Sequence, residues 1–333
     1  MIISKHFVLN WITPHYNQRS RKYHTTKHIE DMLKFLGCSI NSFLLSLLHP
    51  VDISDELFLA VCFHDIVYNP YNNDNEEQSC EVLKLFLEDM ESRYNTTDLE
   101  VDFDKTKQII MATKTHTFEP NSDSEKIVLA DLKPLRTWDD LIEYEHGIFW
   151  EYQRYDIQKY IDGRIAFLNK IKSHQFVNAE CVDFLINYVK TRTYNVGIYA
   201  GSFNPLHLGH ADIIEQAELI FDKVIIAQGI NTEKEKPYEI KHKYCQIIEY
   251  KGLIWELFEK EKNINKTLIR GLRNSFDVGY EDALRNTIYD FYKIPIVYFF
   301  CQKKYEHLSS SMIRSLYPFG ENIYKRYLDF ENN

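Results

Sequence analysis

Two groups of residues in this 333-residue chain have side chains suited to a reaction centre. The stretch YAGSFNPLHLGH, residues 199 to 210, sets His207 and His210 three apart around Gly209, after a Ser-Phe-Asn-Pro turn. Far upstream, FHDIVY at residues 63 to 68 puts His64 beside Asp65 at the end of an apolar run. His24, His28, His116 and Asp131 belong to the same half of the chain. Imidazoles and carboxylates brought inward from separate helices are the materials of a divalent-metal site. A turn at the carboxyl end of a strand, opening into a helix N-terminus with free N–H groups, suits a phosphate instead. The second stretch is neither GxGxxG nor GxxxxGK, so dinucleotide-fingerprint and P-loop readings fail. Gly209 is expected to let a phosphate approach the backbone.

The elements that must position these residues differ between the two halves. Up to about residue 192 the signals are helical. In TTKHIEDMLKFLG, Thr26 is the expected N-cap, Ile29, Met32, Leu33 and Leu36 share one face, and Gly37 follows the end. SDELFLAVCFHDIVY, NEEQSCEVLKLFLEDM, KTKQIIMATKTH, WDDLIEYEHGIFWEYQRY and AECVDFLINYVK read the same way. An all-helical domain is expected over residues 1–193. Beyond it NVGIYA, DKVIIAQG, KTLIRG and IPIVYFF are short, apolar and rich in Val, Ile and Tyr, as strands buried on both faces are. Helical patterns in HADIIEQAELIF and SFDVGYEDALRNTIYDFY separate several of them. The alternation predicts a doubly wound, Rossmann-like parallel sheet over residues 194–333.

At the ligand edge of such a sheet, LIRGLRN places Arg270 and Arg273 past a strand end, and EHLSSSMIRSL places Ser309, Ser310 and Ser311 before a helix. Serines there serve as N-caps in most proteins, and three in a row can also cradle a triphosphate. The composition bounds the rest. A formal charge of −10 argues against a nucleic-acid partner, and no uninterrupted apolar run reaches membrane-spanning length. The N-terminus lacks the pattern of a signal peptide. Six scattered cysteines without CxxC pairing suit buried free thiols in a reducing compartment, so a cytoplasmic location is expected.

The N-terminal segments YHTTKHI, FHDIVYNP, DNEEQS, ATKTH and LADLKPL resemble, in order, the HD superfamily of metal-dependent phosphohydrolases. The resemblance implies His28, His64, Asp65 and Asp131 as ligands of a divalent metal, with His24, Glu76 and His116 lining the pocket. Leu129 stands where similar proteins tend to carry a further Asp. The C-terminal segments IYAGSFNPLHLGHADIIEQAELIFDKVIIA, LIRGLRNSFDVGYE and HLSSSMI resemble the HxGH nucleotidyltransferases, and phosphopantetheine adenylyltransferases among them. That resemblance implies direct transfer of AMP from ATP, accompanied by Mg2+, to a small phosphorylated acceptor. His210, Arg273 and Lys234 would be catalytic, Lys234 being chosen over Lys236 in NTEKEKP. ATP would meet Gly201, Ser202, Phe203, His207, His210, Gly271, Arg273, Glu281 and Ser309, Ser310 and Ser311. The acceptor would meet Ser202, Lys234 and Arg270.

The resemblance has departures. His207 replaces the usual Thr and Asn204 the usual Asp, both choices that also suit nicotinamide-mononucleotide enzymes. The segment YEIKHKYCQIIEYKGLIWELFEKEKNINK lacks most of a helix that in the family helps build the acceptor side and the subunit contacts. The sequence therefore predicts a bifunctional enzyme whose partners are ATP and a phosphorylated acceptor, with no nucleic acid and no membrane. Homo-oligomerisation is compatible with the resemblance. The alternatives are a nicotinamide-mononucleotide adenylyltransferase and a non-catalytic protein that binds nucleotide and metal.

Overall fold

The structure, a computed structural model, describes residues 5–41, 46–49, 53–94, 101–230, 240, 242 and 244–328. The chain divides into two compact units: Met1–Glu151 with Asp162–Asn187, and Tyr152–Ile161 with Tyr188–Asn333. The expected single boundary after residue 193 misses the short segment 152–161, which packs with the second unit.

The first unit is built from helices α1 (Lys5–Tyr16), α2 (Thr26–Phe35), α3 (Asp55–Phe63), α4 (Asn75–Tyr94), α5 (Phe103–Thr115), α6 (Asp123–Asp131) and α7 (Leu141–Glu151). Most of α8 (Ile157–Ile171) and α9 (Ala179–Thr191) completes it. Short polar side chains start these helices: Ser54, Asp102 and Ser122 accept the N–H groups of Leu57, Lys105 and Glu125. Helix α3 is apolar all round, with every residue from Leu57 to Phe63 buried, and is therefore central. Its last turn delivers His64 into the interior, 1% exposed.

Two expectations are corrected in this unit. It is not all-helical, because Ser39–Asn41 (β1) and Ser46–His49 (β2) pair antiparallel; strands of three and four residues are too short to show a period of two. The N-cap of α2 is Thr25 rather than Thr26, and its side chain makes no capping bond.

The second unit holds a five-stranded parallel sheet of β3 (Tyr194–Gly201), β4 (Lys223–Gly229), β5 (Gln246–Tyr250), β6 (Ile264–Leu272) and β7 (Ile296–Phe300). The order β5-β4-β3-β6-β7 makes β3 central, with the chain reversing direction across the sheet between β3 and β6. Ligands of such sheets bind outside the carboxyl ends of the strands at that switch point. Residues Val196 to Ala200 of β3 are all buried, which explains their uninterrupted apolar character. Helices α10 (Leu208–Ala217), α11 (Ser275–Tyr292), α12 (Ser310–Ser315) and α13 (Glu321–Tyr324) complete the unit.

Segment 152–161 is bound to this sheet by polar contacts at the start of β4. Lys223 is 1% exposed, and its ammonium donates to the carbonyls of Tyr155, at 3.0 Å, and Gln153. Burial draws its pKa down to about 8. The Gln153 amide donates to the Asp222 carbonyl at 2.9 Å. All six cysteines are free and buried. Among the described residues no helix is long and apolar enough to cross a membrane.

Candidate functional site

At the switch point β3 runs into Gly201, Ser202 and Phe203. Phe203 has a φ of 43°, which costs a bulky residue about 1–3 kcal/mol, and its ring is buried in edge contact with Tyr199 and His210. The cis Asn204–Pro205 bond follows. Helix α10 then opens on a reciprocal cap: His207 Nδ1 accepts the Gly209 N–H at 3.1 Å, and His210 Nδ1 accepts the His207 N–H at 3.3 Å. The two rings stack with centroids 3.7 Å apart. Since both Nδ1 atoms accept, the protons of both neutral rings sit on Nε2. Burial, then the Arg273 charge, lowers the His207 pKa to about 4. Burial, His207 and Arg273 push His210 well below its ordinary value. This is a pair of neutral imidazoles.

The space beside Gly209 is occupied. A Cβ there would lie 3.1 Å from the His207 ring, so the glycine makes room for the cap, and it also lines the crevice. Gly271 is equally confined, since a Cβ would meet the Tyr199 hydroxyl at 2.9 Å.

His207, His210, Gly271, Arg273, Ser309 and Ser310 line one crevice of about 260 Å³. Arg273, on the loop after β6, is clamped by Asp277 in the first turn of α11: Nε to Oδ2 and Nη2 to Oδ1 are both 3.0 Å. Ser309 caps α12, accepting the Met312 N–H at 3.1 Å, while the Ser310 hydroxyl donates to the Pro205 carbonyl at 2.9 Å. Arg314 donates to the Asn204 carbonyl and to Ser311. The serine turn is thus tied to the loop that carries the histidines.

Other expected residues lie outside this lining. Gly201 packs on the Phe203 ring, and Ser202 is exposed, with its carbonyl accepting from Gln228. Arg270, within β6, is paired with buried Glu281, Nε to Oε2 at 2.8 Å. Glu281, expected as a nucleotide contact, is here the ion-pair partner of Arg270. Ser311 holds Arg314 instead of lining the crevice. Lys234 lies outside the described residues.

Sequence reasoning missed Asp277, although its spacing from Arg273 is that of an i,i+4 ion pair. It also missed Asp212, 3% exposed, which accepts the Gln302 N–H at 2.8 Å and the Gln216 amide at 3.0 Å. Asp212 ties α10 to the loop leaving β7.

In the first unit His28, His64 and Asp65 each offer a ligand atom, all within 4.8 Å of one another. His64 Nε2 is 2.9 Å from Asp65 Oδ2 and 3.4 Å from His28 Nε2, and its Nδ1 faces the Val61 carbonyl at 3.0 Å. Asp131, the last residue of α6, reaches to 3.4 Å from His28 Nε2. Burial opposes charge on His64, but Asp65 outweighs it and raises the pKa to about 9. Burial likewise opposes an ionised Asp65, yet His64 and His24 hold its carboxyl well below the usual range.

His24 stands beside this cluster, Nε2 at 3.8 Å from Asp65 Oδ2 and Nδ1 at 2.6 Å from Glu151. Glu151, unforeseen in the sequence, also accepts the backbone N–H groups of Lys22, Tyr23 and His24 at 2.8 to 2.9 Å. Glu76 is 3.8 Å from the Lys114 ammonium, and burial, with Asp65 adding to it, raises its pKa; His116 borders a further cavity, and burial lowers its pKa against the pull of Asp131.

Parallel sheet, switch-point crevice and histidine-capped helix define a nucleotidyltransferase-type unit, and the model of the cytidylyltransferase-like family matches residues 198–316. The phosphopantetheine adenylyltransferase of Flavobacterium johnsoniae is 32% identical over 135 residues, 37% of this chain and 88% of that protein. Its counterpart in Porphyromonas gingivalis is 33% identical over 141 residues, 39% and 91% of the two chains. That of Clostridium botulinum is 34% identical over 139 residues, 38% and 86%. Through its C-terminal part the chain belongs to the phosphopantetheine adenylyltransferase family. The family match begins at residue 198, so the N-terminal cluster rests on its own geometry.

Proposed function

We propose that the second unit transfers AMP from ATP to a small phosphorylated acceptor, 4′-phosphopantetheine, giving dephospho-CoA and pyrophosphate. One observation carries the reading: His210, Arg273, Ser309 and Ser310, distant in sequence, border one crevice at the switch point of the sheet. An acceptor phosphate oxygen attacks the α-phosphorus in line, the new P–O bond replaces the α–β bridge, and pyrophosphate leaves. No covalent enzyme intermediate is required, and the protein contributes position and charge complementarity. His210, locked by the cap with its proton on Nε2, donates to the phosphoryl oxygen that gains charge. Arg273, aimed by Asp277, offers a fixed guanidinium to the departing phosphates. Ser309, whose oxygen accepts the Met312 N–H, keeps its hydroxyl proton for the triphosphate, while Ser310 holds the serine turn to Pro205. In this reading Arg270, Ser202 and Lys234 would meet the acceptor.

His207 and Asn204 also suit nicotinamide mononucleotide as acceptor. Pyrophosphate release from ATP with each acceptor decides: turnover with 4′-phosphopantetheine is expected, turnover with nicotinamide mononucleotide alone would replace the acceptor, and none with either would leave a nucleotide-binding protein.

The first unit, in this reading, is a metal-dependent phosphohydrolase of HD type. The donor set fits a divalent ion, since two imidazole Nε2 atoms and a carboxylate converge, with Asp131 beside His28. When bound, such an ion supplies the Lewis acidity that activates water at neutral pH. The Val61 carbonyl fixes the tautomer of His64, and Glu151 orients His24 toward Asp65.

A further inference from the structure

The first unit holds a cavity of about 630 Å³ between the end of α5, the end of α8 and the turn after α8, within the size range of small-molecule sites. None of His28, His64, Asp65 or Asp131 lines it. Its charge is distinctive. Lys114, Lys170, His116 and His174 border it, and no carboxylate does among the described residues, in a chain with ten more acidic than basic side chains. Two aromatic side chains, Phe118 and Phe167, provide an apolar wall, and Phe118 is braced by stacking on Phe176 at 5.0 Å.

The four basic groups are not equivalent. Lys114 is held by Glu77 at 2.6 Å and by the Asn73 carbonyl, which leaves it partly neutralised. His174 is fully engaged, Nε2 facing the His116 carbonyl at 2.9 Å and Nδ1 accepting the Phe176 N–H at 3.2 Å. It fixes the turn rather than a ligand. Lys170 and the His116 ring make no hydrogen bond or ion pair among the described residues. His116 caps the C-terminus of α5 at a φ of 54°, a left-handed conformation in which His is among the more frequent non-glycine residues. The wall therefore offers two donors without hydrogen-bond partners beside an aromatic surface, the His116 ring lying edge-on to Phe167 at 6.2 Å.

We infer that this cavity binds a small phosphorylated ligand bearing a flat ring, its phosphate at Lys170 and His116 and its ring against Phe118 and Phe167. None of the cluster's candidate ligands lines the cavity, although Asp131 acts electrostatically on His116. A phosphate gains charge-assisted bonds here, and a ring gains apolar contact that a free phosphate cannot use.

Amide exchange of the full-length protein, read peptide by peptide, tests it without interference from the crevice of the second unit. AMP, adenosine and inorganic phosphate are the probes. AMP should slow exchange across residues 116–118 and 173–175 severalfold, adenosine and phosphate each much less. Lys170→Glu should abolish the AMP effect, and Lys84→Glu, the same charge change at an exposed position on α4, should leave it intact. Protection surviving Lys170→Glu, or no protection by AMP, overturns the proposal. Equal protection by adenosine would remove the phosphate from it, and equal protection by phosphate would remove the ring. Native exchange in Lys170→Glu without ligand verifies that the variant folds.

Discussion

Two histidine pairs lie in this protein, and their surroundings treat them in opposite ways. His207 and His210 stack at 3.7 Å with both Nδ1 atoms accepting backbone N–H groups. His28 and His64 approach to 3.4 Å between their Nε2 atoms, with Asp65 and Asp131 beside them. The first pair has an arginine nearby and is held neutral. In the second, the carboxylates raise His64 to about 9, while burial outweighs Asp131 and keeps His28 below its ordinary value. What anchors an imidazole decides what it can serve. Backbone donors leave a protonated Nε2 for an anion, whereas carboxylates prepare a place for a cation.

The largest test of this contrast is reciprocal. His210→Ala should lower the rate of adenylyl transfer about 10²- to 10³-fold, as loss of one preorganised donor does, with the metal content of the protein unchanged. Asp65→Asn should do the converse, emptying the metal site as read by elemental analysis while the transfer rate stays at the wild-type level. Loss of transfer in Asp65→Asn would break the separation.

A second test uses acid. The His207 pKa, about 4 when folded, lies below the unfolded value of about 6.5, so the unfolded state binds the proton more readily. Stability from a neutral His207 is complete above pH 6.5 and is lost as pH falls toward 4. Across that window the wild type should lose about 3 kcal/mol more than His207→Thr in urea unfolding, because the carboxylates common to both cancel. Equal losses would mean that the ring is charged or solvated in the native state.

The smallest expected effect concerns packing. Gly271→Ala brings a methyl within 2.9 Å of the Tyr199 hydroxyl and 3.1 Å of Ile213, an overpacking of about 1–3 kcal/mol measurable by thermal unfolding. Since Gly271 lines the crevice, a raised KM for ATP should accompany it. An unchanged KM would show that the crevice tolerates the shift.

Much of this arrangement was legible because single segments carried it. The apolar run from Leu57 to Phe63 has no polar face, so the His-Asp pair at its end had to point inward. Helix α11 occupies residues 275 to 292, the span its pattern predicts. What escaped was carried by long-range or weak local signals. Glu151 meets Lys22, Tyr23 and His24 across more than 120 residues of sequence, and most of its partners are backbone groups that no side-chain pattern marks. Strand β5 is an edge strand, half-buried, in a stretch dominated by charged residues. The packing of the His207 ring on Gly209 was not legible, because a glycine's sequence does not say which neighbour needs the vacant space.

The burial of Lys223 has a consequence for any attempt to take the protein apart. Residues 152–161 precede most of α8 and α9 in the chain, yet their carbonyls supply the oxygens that solvate this ammonium. A fragment starting at Tyr194 would keep the cation and discard its acceptors, exposing the first residues of β4 to water. The second unit is thus discontinuous along the chain, and no single scission separates it from the first.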